Sequence, residues 1–197
     1  MFRHLIVSLR IFITLTILTC VIYPLVVTGI ARWAFPEQAQ GSLIQQDGKI
    51  LGSALLAQSF TEDRYFWPRP SAADYATVAS GASNQGFTSK KLIEQINSRR
   101  QAPGSVDSPD MLTASASGLD PHISPAAAQA QVGRVASARG LPPAMVEALV
   151  RQYTELPQFG FLGQPRVNVL LLNLALDASA KVSSAKSSPP HPGFSLQ

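Results

Sequence analysis

The 21 residues from Ile11 to Ala31 carry no charge. Wound as an α-helix at about 1.5 Å per residue, they reach roughly 30 Å, the thickness of a bilayer's hydrocarbon core. A removable secretory signal has an apolar core of about 7–15 residues. Length therefore favours a transmembrane anchor over a signal peptide, although Gly29-Ile30-Ala31 offers a small-x-small pattern. Arg32 and Trp33 follow at once, and both residue types suit the headgroup region. Pro24 lies inside the stretch and is expected to kink it. Thr16, Thr19 and Tyr23 recur at i, i+3 and i+7, one face of an α-helix. Such a face can seek a partner helix, or its hydroxyls can bond the preceding turn; the spacing leaves both open.

The anchor also explains the charge. The 197-residue chain has a formal net charge of +4. Arg3, Arg10 and Arg32 flank the apolar stretch, and Lys181 and Lys186 lie near the C-terminus. Between Glu37 and Asp177 there are 11 basic and 12 acidic residues, so that region is at −1 and has no footprint for nucleic acid. Cys20 is the only cysteine, so no intramolecular disulfide can form. Basic residues tie across the helix, Arg3 and Arg10 against Arg32 and Lys49. A long following domain translocates largely regardless of such counts, which favours a cytoplasmic N-terminus at 1–10 and an extracytoplasmic domain at 32–177.

Beyond the anchor, the sequence predicts a mixed α+β domain. Asp47-Gly48 between residues 42–46 and 49–56 signals a two-residue hairpin. Residues 61–85, rich in Pro, Ser, Gly and aromatics, read as an irregular ordered loop. A helix is predicted over 88–101, capped by Thr88 or Ser89, with Leu92, Ile93 and Ile96 on its apolar side. Residues 111–114 read as a short strand. Ser124-Pro125 starts a helix that stops at Gly140, and Pro143 opens another with Val146, Leu149, Val150 and Tyr153 inward. Residues 166–176 are apolar on both alternating faces and read as a central strand. The Ser, Ala, Lys and Pro run over 178–197 reads as a disordered tail.

Motifs for chemistry are thin. His4, His122 and His191 are isolated in sequence, which predicts no metal site. Residues 81–88 read G-x-x-x-x-G-F-T, one residue from a phosphate loop, but the position of the phosphate-binding lysine holds Phe87. Ser115, Ser117, Asp120 and His122 are the residue types of a serine hydrolase, the alternative function, without a G-x-S-x-G elbow. Asp74, Asp110 and Asp120 could offer oxygens to K⁺, though turn chemistry accounts for them. The run Tyr65-Phe66-Trp67-Pro68-Arg69-Pro70-Ser71-Ala72 places three aromatics and an arginine on a Pro-stiffened loop. Those types dominate binding hot spots and also close small cores.

Six stretches in order carry a specific likeness: 52–60 (GSALLAQSF), 65–72 (YFWPRPSA), 80–84 (SGASN), 113–124 (TASASGLDPHIS), 131–141 (QVGRVASARGL) and 163–177 (GQPRVNVLLLNLALD). With the single N-terminal helix, they resemble the C subunit of Kdp-type potassium-transporting ATPases over most of residues 1–177. The resemblance implies a bacterial inner-membrane complex that uses ATP, Mg²⁺ and K⁺. Its implied partners are a channel-like potassium-binding subunit and a P-type ATPase catalytic subunit. The C subunit would be non-catalytic, bind no cofactor of its own, and be needed for assembly and activity. It would also act as a catalytic chaperone that raises the ATPase subunit's affinity for ATP; ATP is cytoplasmic, so either that influence is transmitted through the complex or the domain lies on the other side, and the absence of an evident ATP motif favours transmission. Candidate partner-interface residues are Thr16, Thr19 and Tyr23 on the helix, and Tyr65, Phe66, Trp67, Arg69, Ser71, Ser83, Asn84, Ser117 and Asp120 in the domain.

Overall fold

A computed structural model describes residues 2–46 and 48–187, with side chains to residue 179. The chain divides into two compact units, Met1–Ser53 and Ala54–Gln197. In the first, α1 (Phe2–Ile17), a π-helical turn (Leu18–Ile22) and α2 (Tyr23–Ala34) form one continuous 33-residue helix with no buried residue. The π turn is the local form of the disturbance expected from Pro24. Proline has no N–H and its ring crowds the carbonyl four residues back. Widening that turn, with the Tyr23 N–H donating to the Leu18 carbonyl, accommodates both defects without breaking the helix.

After a short helix α3 (Pro36–Ala39), strands β1 (Leu43–Gln46) and β2 (Lys49–Ser53) pair antiparallel, with Gln46 opposite Lys49. This is the hairpin expected around Asp47-Gly48. Gly48 takes the left-handed conformation (φ +74°) that such a turn demands. Residue 47 lies outside the described residues. The Ser53 hydroxyl donates to the Gly41 carbonyl at 2.7 Å and ties off the hairpin's open end.

The second unit is mixed α and β, as the sequence predicts. Residues 54–88 form no helix or strand. Helix α4 (Lys90–Gln101) is capped by the Ser89 hydroxyl, which accepts from the Leu92 N–H. None of its residues is buried, and Ile93, expected on the apolar side, is half exposed. The strand expected at 111–114 is instead a helical turn, α5 (Pro109–Leu112). Ser108 is extended, Pro109 supplies a helical φ at the first position, and the Met111 and Leu112 N–H groups donate to the Ser108 carbonyl.

Strand β3 (His122–Ile123) leads into α6 (Pro125–Arg139). The Ser124 hydroxyl accepts from the Ala127 N–H at 3.2 Å, and Gly140 ends the helix at φ +63°. Helix α7 (Pro143–Gln152) then buries Val146 and Val150, with Leu149 and Tyr153 packed at the core's edge. Strands β4 (Thr154–Glu155) and β5 (Arg166–Asn168) follow, and β5 lies between β3 and β4, antiparallel to both.

The segment from residue 166 is therefore central, but it is a strand for only three residues. From Val169 it becomes α8 (Val169–Ser187). The Asn168 side-chain oxygen accepts from the Leu171 N–H at 3.1 Å, the geometry of an N-cap. Val169, Leu172, Asn173 and Leu176 are buried at i, i+3, i+4 and i+7, a helical stripe hidden within a run apolar at nearly every position. Helix α8 also runs ten residues into the stretch expected to be a tail; residues 188–197 lie outside the described residues. The core gathers where α6, α7 and α8 close over β5, around Val135, Val146, Val167 and Leu172, with Phe66 inserted from the long loop.

Candidate partner-binding site

Phe66 and Trp67 are held by two buried amide side chains. Asn173 on α8 accepts from the Phe66 N–H (2.8 Å) and donates to the Phe66 carbonyl (3.0 Å). Gln131 on α6 treats Trp67 likewise, at 2.8 and 3.2 Å. Each amide supplies one donor and one acceptor, so two consecutive loop residues are satisfied as a neighbouring strand would satisfy them. That pairing lets irregular backbone enter the core, where Phe66 is fully buried.

Arginines frame the loop. Arg134 stacks on Trp67, its guanidinium carbon 3.8 Å from the ring centroid. It donates to the Asp63 and Tyr65 carbonyls (2.8 and 3.0 Å) and to the Gln131 side-chain oxygen (2.7 Å). Burial lowers its pKa, while the nearby Asp63 carboxylate works the other way. Arg139 donates to Asp177 at 2.9 Å, and the Tyr65 hydroxyl donates to the other Asp177 oxygen at 3.2 Å. Burial and the Asp177 charge push the Tyr65 phenol up. Gly104 closes against Trp67: a Cβ there would stand 3.0 Å from the indole, and φ is +71°. A cavity of about 350 Å³ opens beside this loop, with Phe60, Trp67, Pro68, Tyr75, Arg99 and Met111 among its walls.

A second cluster adjoins it. Arg69 donates to Asp120 at 3.1 Å, the His122 Nδ1 lies 3.6 Å from the other Asp120 oxygen, and the His122 backbone N–H donates to that oxygen at 3.0 Å. Burial alone would raise the Asp120 pKa, but the bonds from His122 and Arg69 outweigh it and hold the carboxyl below its usual range. With Asp110 and Arg166, these residues line a pit of about 350 Å³. Asp110 itself accepts from the Ser124 N–H at 2.8 Å.

The serine residues serve turns. The Ser115 and Ser117 hydroxyls lie 3.3 Å apart, Ser117 accepts from the Leu119 N–H, and Ser115 accepts from the Asp120 N–H. Among the described residues no hydrogen bond joins either serine to His122, so the hydrolase reading lacks its nucleophile–base contact. Ser71 accepts from the Ala73 and Tyr75 N–H groups at 3.2 and 3.0 Å. The Ser83 carbonyl accepts from the Gln85 side chain, and Asn84 sits at φ +52°. Gly118, at φ +71°, comes so close to Gly81 that a Cβ would meet its carbonyl at 3.0 Å. The phosphate-loop-like stretch follows no strand, and Phe87 is fully exposed. Among the described residues no three His, Cys, Asp or Glu side chains converge as metal ligands.

On the candidate membrane helix, the Thr16 and Thr19 hydroxyls donate to the Phe12 and Leu15 carbonyls at 2.8 and 2.7 Å, the intrahelical alternative. The π turn, which includes Thr19 and ends just before Tyr23, takes up one extra residue, so Tyr23 is rotated by about a quarter turn from the face that it would share with Thr16 in an unbroken α-helix. Sequence reasoning passed over Asn173, Gln131, Arg134 and Asp177, which hold the aromatic loop from a distance of 64 to 112 residues.

Residues 5–178 match the family model described as K⁺-transporting ATPase, c chain, a span that takes in both the long N-terminal apolar helix and the amide-held loop. The potassium-transporting ATPase KdpC subunit of Methylococcus capsulatus is 53% identical over 188 residues, covering 90% of this chain and 99% of that one. Its counterparts from Dechloromonas aromatica (50% over 184 residues; 88% and 96%) and Rhodospirillum rubrum (53% over 186 residues; 90% and 96%) align as fully. With the match continuous through both compact units, the chain belongs to the KdpC family, the c chain of the K⁺-transporting ATPase.

Proposed function

We propose that the chain is the non-catalytic accessory subunit of an ATP-driven, high-affinity potassium uptake complex. It anchors in the inner membrane by residues 11–31, with the N-terminus cytoplasmic and the domain outside. Its partners are a channel-like potassium-binding subunit and the P-type ATPase catalytic subunit. It stabilises their assembly and raises the catalytic subunit's affinity for ATP through the complex, without an ATP site of its own. The observation that carries this reading is the unbroken family match over residues 5–178. Supporting it, the aromatic loop is locked by buried amides and arginines into one conformation, which lowers the entropic cost of binding a partner.

The test is a tagged pull-down from mild-detergent membranes of potassium-starved cells that express all subunits. Recovery of both large subunits in fixed ratio is expected, along with a lower ATP requirement of the complex than of the catalytic subunit without this chain. Recovery of the chain alone would overturn the reading. Full transport by a complex whose chain lacks residues 1–32 would overturn the role of the anchor.

A further inference from the structure

Between β4 and β5 the chain makes a compact turn that exposes Leu156 (78%), Phe159 (87%), Phe161 (75%) and Leu162 (51%). It is not a loose loop. Gln158 and Leu162 exchange both backbone hydrogen bonds at 2.9 Å, and the Gly160 N–H donates to the Pro157 carbonyl at 3.0 Å. Phe159 sits at φ +54°, a left-handed conformation that a bulky residue adopts only under strain and that Asn or Gly would adopt at less cost. A phenylalanine kept in a strained turn and presented to solvent points to use of its ring.

We infer that this turn is a docking knob that seats in an apolar pocket on another subunit of the same transporter. The inference rests on the accessory-subunit reading above. Three occupants compete, and charge and membership of a transporter of several subunits decide. Residues 156–165 carry no charge, and the nearby Arg166 is paired with Glu155 at 2.9 Å. Docking on an anionic lipid surface draws on Lys and Arg, which the knob lacks. The four side chains offer on the order of 500 Å² of apolar surface. Knob against knob or knob in a pocket, about 1,000 Å² in total would be buried, below the standard interface size, so the knob must be part of a larger contact. As the c chain of a transporter, this chain has other subunits to supply that larger contact, so a pocket on one of them is the occupant. An apolar centre bordered by an ion pair is the anatomy of an interface, and a tether through the membrane helix lets so small a patch contribute as part of a larger contact.

The test places the photo-reactive analogue benzoylphenylalanine at position 159 of the full chain, in membranes containing the complete transporter. A covalent adduct with another subunit is the expected result, and the same probe at exposed Val78 should give none. An adduct with lipid only, an adduct with a second copy of this chain, or no adduct at 159 overturns the inference. As a second arm, Phe159→Asn with Phe161→Ser removes both rings from exposed positions, and Asn suits the left-handed backbone. The chain should leave the detergent-solubilised complex about thirty-fold faster, the scale of a lost interface anchor, with its own melting temperature no lower than that of the wild type. Wild-type dissociation by the double variant overturns the inference alone. If the wild-type chain brings down no other subunit, the accessory-subunit reading falls and this inference falls with it.

Discussion

At the scale of single residues, the unusual feature is how much of the domain hangs on side-chain amides. Asn173 and Gln131 each satisfy a backbone N–H and a backbone C=O that would otherwise be buried without partners. Losing an amide costs the desolvation of both groups, roughly 1–3 kcal/mol each. Asn173→Ala is therefore expected to destabilise the domain by about 3 kcal/mol, read as a fall in the thermal unfolding midpoint of the detergent-solubilised chain. Asn173→Asp should not rescue it, because a carboxylate cannot donate to the Phe66 carbonyl. Asp120 belongs to the same scale. Its folded pKa is depressed, so the stability it contributes is present above the ordinary carboxylate pKa and is lost as pH falls through the folded value. Acid titration of unfolding should show that loss below about pH 4, and Asp120→Asn should flatten the profile in that window while lowering stability at neutral pH. An unchanged acid limb in the variant would assign the loss to other carboxylates.

At the scale of elements, local signals were legible where they were chemically unambiguous. Ser124-Pro125 and Gly140 marked both ends of α6, and Asp47-Gly48 marked the hairpin, because cap and turn chemistry act over three or four residues. The run from Arg166 misled for a physical reason. When nearly every position is apolar, periods of 2.0 and 3.6 fit equally well, and only Asn168 distinguishes them by capping a helix from its own strand. The site was legible only in part. The aromatic loop stood out by composition, but its anchors come from helices far along the chain, and no local pattern encodes a contact across 107 residues. The turn at 156–162 left a signal of four large apolar residues among Pro and Gly, which a search for periodicity passes over. The cap is open to test. Asn168→Ala removes both the N-cap and the 2.7 Å bond from its side-chain N–H to the Ala54 carbonyl. A loss of about 1–2 kcal/mol is expected, with Asn168→Asp recovering the cap's share because a carboxylate accepts from the same N–H. Equal loss in both variants would locate the effect in the Ala54 bond.

At the scale of the whole molecule, the helix poses a question of reach. Thirty-three residues at about 1.5 Å span roughly 50 Å, well beyond a hydrocarbon core of about 30 Å. The charge-free segment between Arg10 and Arg32 is of a length to match that core; under the proposed anchoring, both arginines would stand at the two interfaces and the first turns of α1 in the polar region on the N-terminal side. Arginine on either side cannot choose an orientation, so the choice falls to the domain that follows. The sole cysteine makes this testable without background. Cys20 lies within the helix, and Cys20→Ala leaves a chain with no thiol. In that chain, Ser80→Cys puts one thiol on an exposed loop of the domain, and Ser8→Cys puts one in the exposed N-terminal turns. A membrane-impermeant maleimide applied to spheroplasts should label position 80 at once and position 8 only after the membrane is opened. The reverse pattern would place the domain with the nucleotide, and the influence on ATP affinity proposed above would then call for a direct contact instead of one carried across the bilayer.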